Sequence, residues 1–557
     1  MVAPDAGALN KEKNMTDKII KTPVLIVGGG PVGLALAGDL GWRGMPCLLI
    51  ERGDGRVENP KMDMVHIRTM EFCRRWGIVP WVESAGYNRE HAQDCVWVTG
   101  MHGGYELGRE PFPACVDEEP PPQSPQKRER CPQNFFDPVL ARHARSYRSV
   151  DLRYGVELAS FIEHENGVTA DIIDRATGET TRVEAQYLAA CDGAGSPIRE
   201  KLGISLSGNP VLTYTTNAIF ECRDFNRIHN FPHGYRYIFI GPEGTWCTIV
   251  AIDGRHRYRF SFVGNRNREQ MNEADIRAAI ARALGCDVDF TLLSTMPWRR
   301  AELVAESYGT KRIFLVGDSA HQLSPTGGFG MNTGIQEAVD IAWKLQGVVE
   351  GWGGPRLLES YEIERKPVAA FNVSEAARNL ARMLKPREER PPEAIFLNGP
   401  EGERARKAYG DWYTRMMAPE WFTIGVQLGF RYEHSPIVVR EEGEGPAQTV
   451  HRYVQCARPG HRAPHVWLKR GQSTLDLFGK GFVLLRFLGA PPDVSAFADA
   501  AAQRGVPLRV IDLHHAAAAE AYEKRLVLVR PDGHVAWRGD EQPDNPLQVI
   551  DIIRGAA

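Results

Sequence analysis

A chain of 557 residues exceeds one ordinary hydrophobic core and predicts two or three domains. Hydrophobic residues at 43% and charged residues at 25% describe an ordinary globular protein, and a formal net charge of −3 excludes general electrostatic attraction to nucleic acid or an anionic membrane. Ten cysteines with no CxxC pair and no zinc-like His/Cys spacing exclude a disulfide scaffold and a metal site, and read as reduced, packed thiols of a cytoplasmic protein.

Residues 1–20 are polar, mixed in charge and without an apolar run, so they read as a flexible segment and not a signal peptide. Residues 24–27 are apolar throughout, as in a parallel strand buried on both faces. Gly28-Gly29-Gly30-Pro31-Val32-Gly33 follows at once, with Pro31 at a helix start where its missing N–H costs little. Residues 47–50 are the next strand and end in Glu51. Residues 64–78 predict a helix, 117–129 an exposed loop, and 135–147 a helix. From 210 to 265 the pattern changes to period two: strands at 235–239, 245–252 and 257–262 are separated by turns at 242–244 and 253–254. An antiparallel sheet inserted between parts of a nucleotide-binding domain is expected, one face of it serving as a substrate floor.

A second glycine-rich stretch follows the apolar run 313–316: Gly317-Asp318-Ser319-Ala320-His321, then Gly327-Gly328-Phe329-Gly330-Met331-Asn332. Residues 330–349 and 355–384 predict helices, and 386–392 a charged, proline-containing break. After about residue 445 the pattern resets to strand 482–487, helix 495–503, strands 508–513, 526–529 and 535–538, and helix 546–553. That order suits a small thioredoxin-like domain without CxxC, whose role would be packing or dimer support.

The two glycine-rich stretches carry the chemistry. Gly28, Gly30 and Gly33 let the backbone turn and approach a pyrophosphate at a helix N-terminus, and Glu51, 18 residues past Gly33, stands where a carboxylate binds a ribose hydroxyl. Asp318 ends a strand within reach of a ribityl hydroxyl. Gly328 and Gly330 let backbone pass a flat ring, and the amides of Met331 and Asn332 favour negative charge at the edge of a reduced flavin. Two such sites on distant parts of one chain imply FAD, and hence redox chemistry.

With Cys191-Asp192-Gly193-Ala194-Gly195-Ser196 and residues 458–464 (Arg-Pro-Gly-His-Arg-Ala-Pro) added to these motifs, the chain resembles the flavin-dependent aromatic hydroxylases of the para-hydroxybenzoate hydroxylase superfamily, most of all the phenol hydroxylase branch, over nearly its full length. The resemblance implies an α/β chain: a discontinuous Rossmann-like FAD-binding domain over 21–88, 130–207 and 298–385, an inserted mixed-sheet substrate domain over 89–129 and 208–297, a helical and irregular linker over 386–445, and a thioredoxin-like domain over 446–557. It implies that Asp192 links FAD and NAD(P)H functions, that Asp318 binds the ribityl chain, and that Gln133 contacts FAD. Lys61 replaces a usual arginine near the pyrophosphate, keeping the charge but losing the fork. Arg52 and Pro325 complete the cofactor set. The absence of a second dinucleotide fingerprint fits an NADH or NADPH that binds transiently.

The implied reaction is reduction of FAD by NAD(P)H, addition of O2 at the flavin C4a carbon, and transfer of electrophilic oxygen from that hydroperoxide to a phenolic ring, ortho to its hydroxyl. Free phenols have a pKa near ~10, so a proton acceptor helps. Asp63 holds the place of the branch's aspartate; burial beside Met62, Met64 and Val65 is expected to raise its pKa and suit it to that task. His66 is a second candidate, and Tyr235, Tyr237 and Tyr258 are candidate substrate contacts on the inserted sheet. His321 reads as structural. Two alternatives stand beside this reading: a tailoring monooxygenase acting on a larger polycyclic or polyketide phenol, or an oxidase or reductase on the same scaffold; and an FAD-binding protein without turnover. A homodimer is compatible with either.

Overall fold

The computed structural model describes residues 19–264, 267, 271–487, 489 and 492–557; the expected flexible segment lies outside these apart from its last two residues. The first sheet runs in the spatial order Val150–Tyr154, Cys47–Glu51, Ile19–Val27, Thr180–Ala190, Gly167–Asp174, Val156–His164, with Ile313–Leu315 also pairing Thr180–Ala190. The pairings of Ile19–Val27, Cys47–Glu51, Val150–Tyr154, Thr180–Ala190 and Ile313–Leu315 are parallel. Val24, Leu25 and Ile26 are fully buried in a core shared with helices Pro31–Arg43 and Phe329–Val349. All-apolar strands are what a sheet covered on both faces demands.

The second sheet is mixed, in the order His321–Gln322, Thr291–Ala305, Leu206–Glu221, Arg257–Val263, Gly244–Ala251, Arg236–Gly241, Cys95–Val98, Glu106–Glu110. Only its Arg236–Gly241/Cys95–Val98 pairing is parallel. Leu206–Glu221 and Thr291–Ala305 run past the boundaries expected at 207 and 297, because one continuous pair of long strands carries the chain from the first sheet into the second. One face, with Tyr237, Phe239, Tyr258 and Phe260, packs with helix Glu273–Leu284. The opposite face carries Arg236, Arg259, Ser261 and Arg300 toward the first domain.

Helix Ile67–Arg75 starts three residues later than the pattern suggested, because Met64–Val65 pairs as a short strand with Glu129–Arg130. That pairing, and burial of Ser124 and Glu129, also ties down the end of the expected loop. Helix Arg356–Glu388 continues through Pro386 into the expected break. Beyond it, helix Gly399–Trp421 packs Tyr409, Tyr413 and Met417 against Trp97 and Leu107 of the second sheet, so the region is more than a tether.

The last domain has the strand order Leu508–Leu513, Phe482–Phe487, Leu526–Val529, Val535–Gly539, with helices Ser495–Gln503 and Pro546–Ile553 as expected and Ala516–Tyr522 in addition. All ten cysteines are free. Among the described residues no helix is long and apolar enough to cross a membrane.

Buried ions bind this domain to the first. Arg530, fully buried, pairs with Glu364 (2.5 Å), Asp340 (3.4 Å) and Asp532 (2.7 Å), while Lys344 pairs with Asp340 and Glu364. The carboxylates of Asp340, Glu364 and Asp532 lie close enough to hold a metal, but Lys344 and Arg530 already pair with them. A second pair joins Arg462 to Glu71 of helix Ile67–Arg75, and Arg68 of that helix donates to the Asp532 carbonyl at 2.7 Å. Removing one partner of such a network strands a buried charge, so Arg530→Met is expected to cost about 3–5 kcal/mol, read from chemical denaturation. By the same logic a chain cut after residue 445 is expected to be insoluble; a soluble, cooperatively melting fragment would show that these ions are not required.

Candidate active site

Three segments distant in sequence meet at the C-terminal ends of the first sheet's strands. Gly28 (φ 112°) ends strand Ile19–Val27, and a Cβ there would stand 2.2 Å from the Cys191 carbonyl oxygen, so its contact with Cys191-Asp192 admits only glycine. Val32, inside helix Pro31–Arg43, packs on Gly317 and Gly334, joining the first glycine motif to the second. The helix begins at Gly30, whose Cβ position meets nothing within 4 Å.

The polar groups around that opening fit a dinucleotide. Glu51 accepts from the Gly29 and Gly53 amides, both at 2.7 Å, which sets its carboxylate at the end of its strand beside the glycine loop. Asp192 accepts from the Ile198 amide at 3.3 Å, while its other oxygen is buried without a partner, and burial raises its pKa. Asp318 is half-buried with no hydrogen bond to its carboxylate among the described residues. Gly317 is held by Glu337, which accepts from its amide at 2.8 Å and also pairs with His321, the structural histidine. Arg52 is exposed beside Glu51. Gln133 spends its side chain inside the protein, accepting from the Lys61 amide (3.1 Å) and donating to Asp137 (3.0 Å); the Lys61 ammonium lies 5.6 Å over the Trp298 ring.

The second glycine motif faces a cavity between the two sheets. Pro325, Thr326, Gly327 and Gly328 form one wall; Gly328 (φ 69°) adopts a left-handed conformation before helix Phe329–Val349. Gly330 and the buried Met331 lie in the helix's first turn. Asn332 does not face the cavity. Its carboxamide accepts from the His66 amide (2.9 Å) and the Thr69 hydroxyl (2.7 Å) and donates to the carbonyls of Met64 (3.0 Å) and Gly328 (2.7 Å).

Asp63 and His66 line the same cavity. Asp63 accepts from Arg130 at 3.0 Å and from the Tyr235 hydroxyl, and Arg259 lies 3.6 Å away. Burial pushes its pKa upward, as the sequence suggested, but Arg130, Arg259 and the Tyr235 hydrogen bond win and hold it below the usual carboxylate range. The expectation of a raised pKa is therefore corrected: the group is a firmly ionised carboxylate. His66 is pushed down to about 3 by burial and is neutral; its Nε2 faces the Gly327 carbonyl at 3.1 Å, which requires the proton on Nε2.

Of the three tyrosines only Tyr235 reaches the cavity. Tyr237 accepts from the Gly234 amide, and Tyr258 stacks on Phe225 at 4.1 Å, both on the sheet's other face. Period two puts Arg236 and Arg259 on the cavity side and their neighbours Tyr237 and Tyr258 behind. Sequence reasoning missed Arg128, Arg130, Arg236, Arg259, Arg300 and Glu420, which line the cavity from strands, loops and a helix end with no local motif. The alternation Arg257-x-Arg259-x-Ser261 was the one available signal.

Comparison with known proteins agrees with this geometry. The family model described as "FAD binding domain" matches residues 21–376, and "Aromatic-ring hydroxylase, C-terminal" matches residues 457–554. A putative polyketide hydroxylase of Streptomyces halstedii is 34% identical, over 94% of this chain and 94% of its own. The 2,4-dichlorophenol 6-monooxygenase of Delftia acidovorans is 29% identical, over 93% and 95%. The rebeccamycin biosynthetic enzyme RebC, solved with reduced flavin, superposes with a TM-score of 0.89 at 39% identity, over 97% of this chain and 100% of that one.

The glycine loop makes a paired prediction. Gly30 already has dihedrals open to any residue (φ −74°, ψ −179°), so Gly30→Ala is expected to leave the melting temperature of the apoprotein unchanged. Its methyl group fills the opening, and FAD affinity is expected to fall about tenfold or more, roughly 1.4 kcal/mol. Gly28→Ala is expected to destabilise the apoprotein itself. Calorimetry and FAD titration separate the two; equal FAD affinity for Gly30→Ala and wild type would remove the pyrophosphate from this loop.

Proposed function

The chain belongs to the FAD-dependent aromatic-ring hydroxylases, and we propose that it inserts one oxygen atom of O2 into a phenolic ring, ortho to an existing hydroxyl, with NADH or NADPH as reductant. A putative polyketide hydroxylase stands among the relatives, so the substrate favoured here has several fused or linked rings. A cytoplasmic location accords with ten unpaired cysteines. Bound FAD supplies the redox chemistry; its cradle is the set Gly28, Gly30, Pro31, Gly33, Glu51, Arg52, Lys61, Gln133, Asp192, Asp318, Pro325, Gly328, Gly330, Met331 and Asn332, the last through its backbone and as a brace.

The observation that carries the reading is the Asp63–Tyr235 pair beside the flavin loop. Tyr235 donates to Asp63, and burial raises its own pKa, so it stays a neutral phenol whose oxygen has lone pairs left to accept a substrate hydroxyl. The hydrogen-bond chain then runs from substrate to Tyr235 to Asp63. A carboxylate held below its usual pKa is a weak base for a phenol, so Asp63 acts as a hydrogen-bond acceptor that strengthens as the ring donates electron density. Arg130 and Arg259 keep it ionised and lower the cost of phenolate character nearby. A Cβ at Gly328 would lie 3.4 Å from His66 and 3.6 Å from the Met64 Cβ, so the segment bearing Asp63 abuts the flavin loop. A hydroxyl anchored there would lie beside the loop that would hold the flavin ring. His66 holds Gly327 in place as a neutral donor.

Asp63→Asn and Tyr235→Phe are expected to keep substrate-stimulated NAD(P)H oxidation while oxygenated product falls about 10²-fold or more, the electrons appearing as hydrogen peroxide. Full coupling of oxidation to product in both variants would exclude this pair from the reaction. His66→Gln carries a pH signature. A histidine held neutral when folded loses stability as pH falls from 6.5 toward about 3, by up to roughly 1.4 kcal/mol per unit, so the variant is expected to flatten the acid-side decline in melting temperature.

A further inference from the structure

A buried carboxyl stands outside the cavity lining, behind Gln133. Asp137, 4% exposed, lies one turn into helix Gln133–Arg145. One of its oxygens accepts from Gln133 Nε2 at 3.0 Å, and the other is buried without a partner. Burial raises its pKa to about 7, against the pull of the Gln133 bond and of Lys61. Asp137 also precedes Pro138, which disfavours the helical conformation it adopts, and Pro138 leaves the helix one N–H short. An apolar side chain at this position would avoid the half-satisfied carboxyl. Such a cost, kept at one point of a fold, marks a task.

The task is visible at the other end of the Gln133 carboxamide. Its Oε1 accepts from the Lys61 amide at 3.1 Å. The Gln133 amide donates to the Met62 carbonyl at 3.0 Å, and the Cys131 amide donates to the Asp63 carbonyl at 2.9 Å. Residues 61–63 thus lie as a strip along residues 131–133 and extend the pairing of Met64–Val65 with Glu129–Arg130. Backbone groups fix the Met62 and Asp63 carbonyls, but the Lys61 amide depends on a side chain. A carboxamide can present either end, and its NH2 turned toward Lys61 would set donor against donor. Asp137 removes the choice, because an oxygen that accepts from Nε2 leaves Oε1 for Lys61.

We propose that Asp137 is a positioning residue: through the Gln133 carboxamide it sets the Lys61 end of the strip that carries Asp63 into the active site. Its consequence for FAD rests on the place of Lys61 in the cofactor cradle. Its consequence for the phenol rests on the hydroxylase reading.

The test uses the full chain as Asp137→Leu, Asp137→Asn, Gln133→Leu and the double variant Asp137→Leu with Gln133→Leu. Calorimetry gives the melting temperature of each apoprotein, titration gives FAD affinity, and product mass per NAD(P)H consumed gives coupling with a naphthol. Asp137→Leu is expected to melt at or above the wild-type temperature, since a buried carboxyl is removed, and to bind FAD about tenfold more weakly. Asp137→Asn, whose carbonyl still accepts from Nε2, is expected to recover most of that affinity. The double variant is expected to bind FAD no more weakly than Gln133→Leu, because both changes break one bond. Coupling is expected to fall in Asp137→Leu and to return in Asp137→Asn. Wild-type FAD affinity in Asp137→Leu would overturn the proposal. So would a loss that runs in step with a lower melting temperature, which is packing, or a loss that adds in full to that of Gln133→Leu, which bypasses the carboxamide. The expected FAD pattern without oxygenated product from the wild type keeps the role of Asp137 and removes the hydroxylase reading.

Discussion

One carboxamide sets the geometry on which the active site depends. Asn332, 1% exposed, uses both lone pairs and both protons of its side chain: His66 and Thr69 donate to it, and it donates to Met64 and Gly328. Every hydrogen-bonding position of the amide is satisfied, so no rotation or flip is free. The residue thereby fastens the start of helix Ile67–Arg75 to the start of helix Phe329–Val349. Asp63 and His66 lie just before the first; Gly327 and Gly328 lie just before the second. A fully committed buried amide is a rigid way to hold two segments so distant in sequence against each other.

The same two helices are gripped from behind by the C-terminal domain. Arg462 reaches Glu71, and Arg530 reaches Asp340 and Glu364. These ions lie at buried junctions where imperfect docking would strand a charge, so they favour one arrangement over many. A thioredoxin-like fold without its cysteine pair thus has a structural task here: it closes the ionic network that keeps the flavin loop and the Asp63 segment in register. The cavity between the sheets is fixed on its far side by Gly399–Trp421, whose C-terminal residues Glu420 and Trp421 complete the lining.

Much of this was legible in the chain. Gly28-x-Gly30-x-x-Gly33, Glu51 and Gly317-Asp318 announce themselves because backbone contact with a phosphate or a ring needs particular residues at particular spacings. Periodicity read the first two strands, the strands of 235–262, the long helices after residue 329 and the last domain, but not the strands of 150–190, the long pair Leu206–Glu221 and Thr291–Ala305, or helices Glu273–Leu284 and Gly399–Trp421. What was hidden depends on contacts distant in sequence. The Asp63 pKa was misjudged because its neighbours in sequence are apolar, whereas its neighbours in space are Arg130 and Arg259. Tyr237 and Tyr258 looked equivalent to Tyr235, yet only the face of the sheet decides, and helix Glu273–Leu284 occupies theirs. Asn332 was read for its backbone amide, and the work of its side chain shows only when Met64 and Gly328 are seen together. The arginines of the cavity obey no motif at all.

The central claim is that this cavity brings a flavin and a phenol together for oxygen insertion. The most direct measurement is reaction of the FAD-loaded protein with NAD(P)H, a multi-ring phenol and isotopically heavy O2, with the product read by mass. Phenol-stimulated NAD(P)H oxidation is expected, with a product that gains one heavy oxygen atom on the carbon next to the hydroxyl. NAD(P)H oxidation that is indifferent to phenols, or a product that carries no heavy oxygen, would contradict that claim.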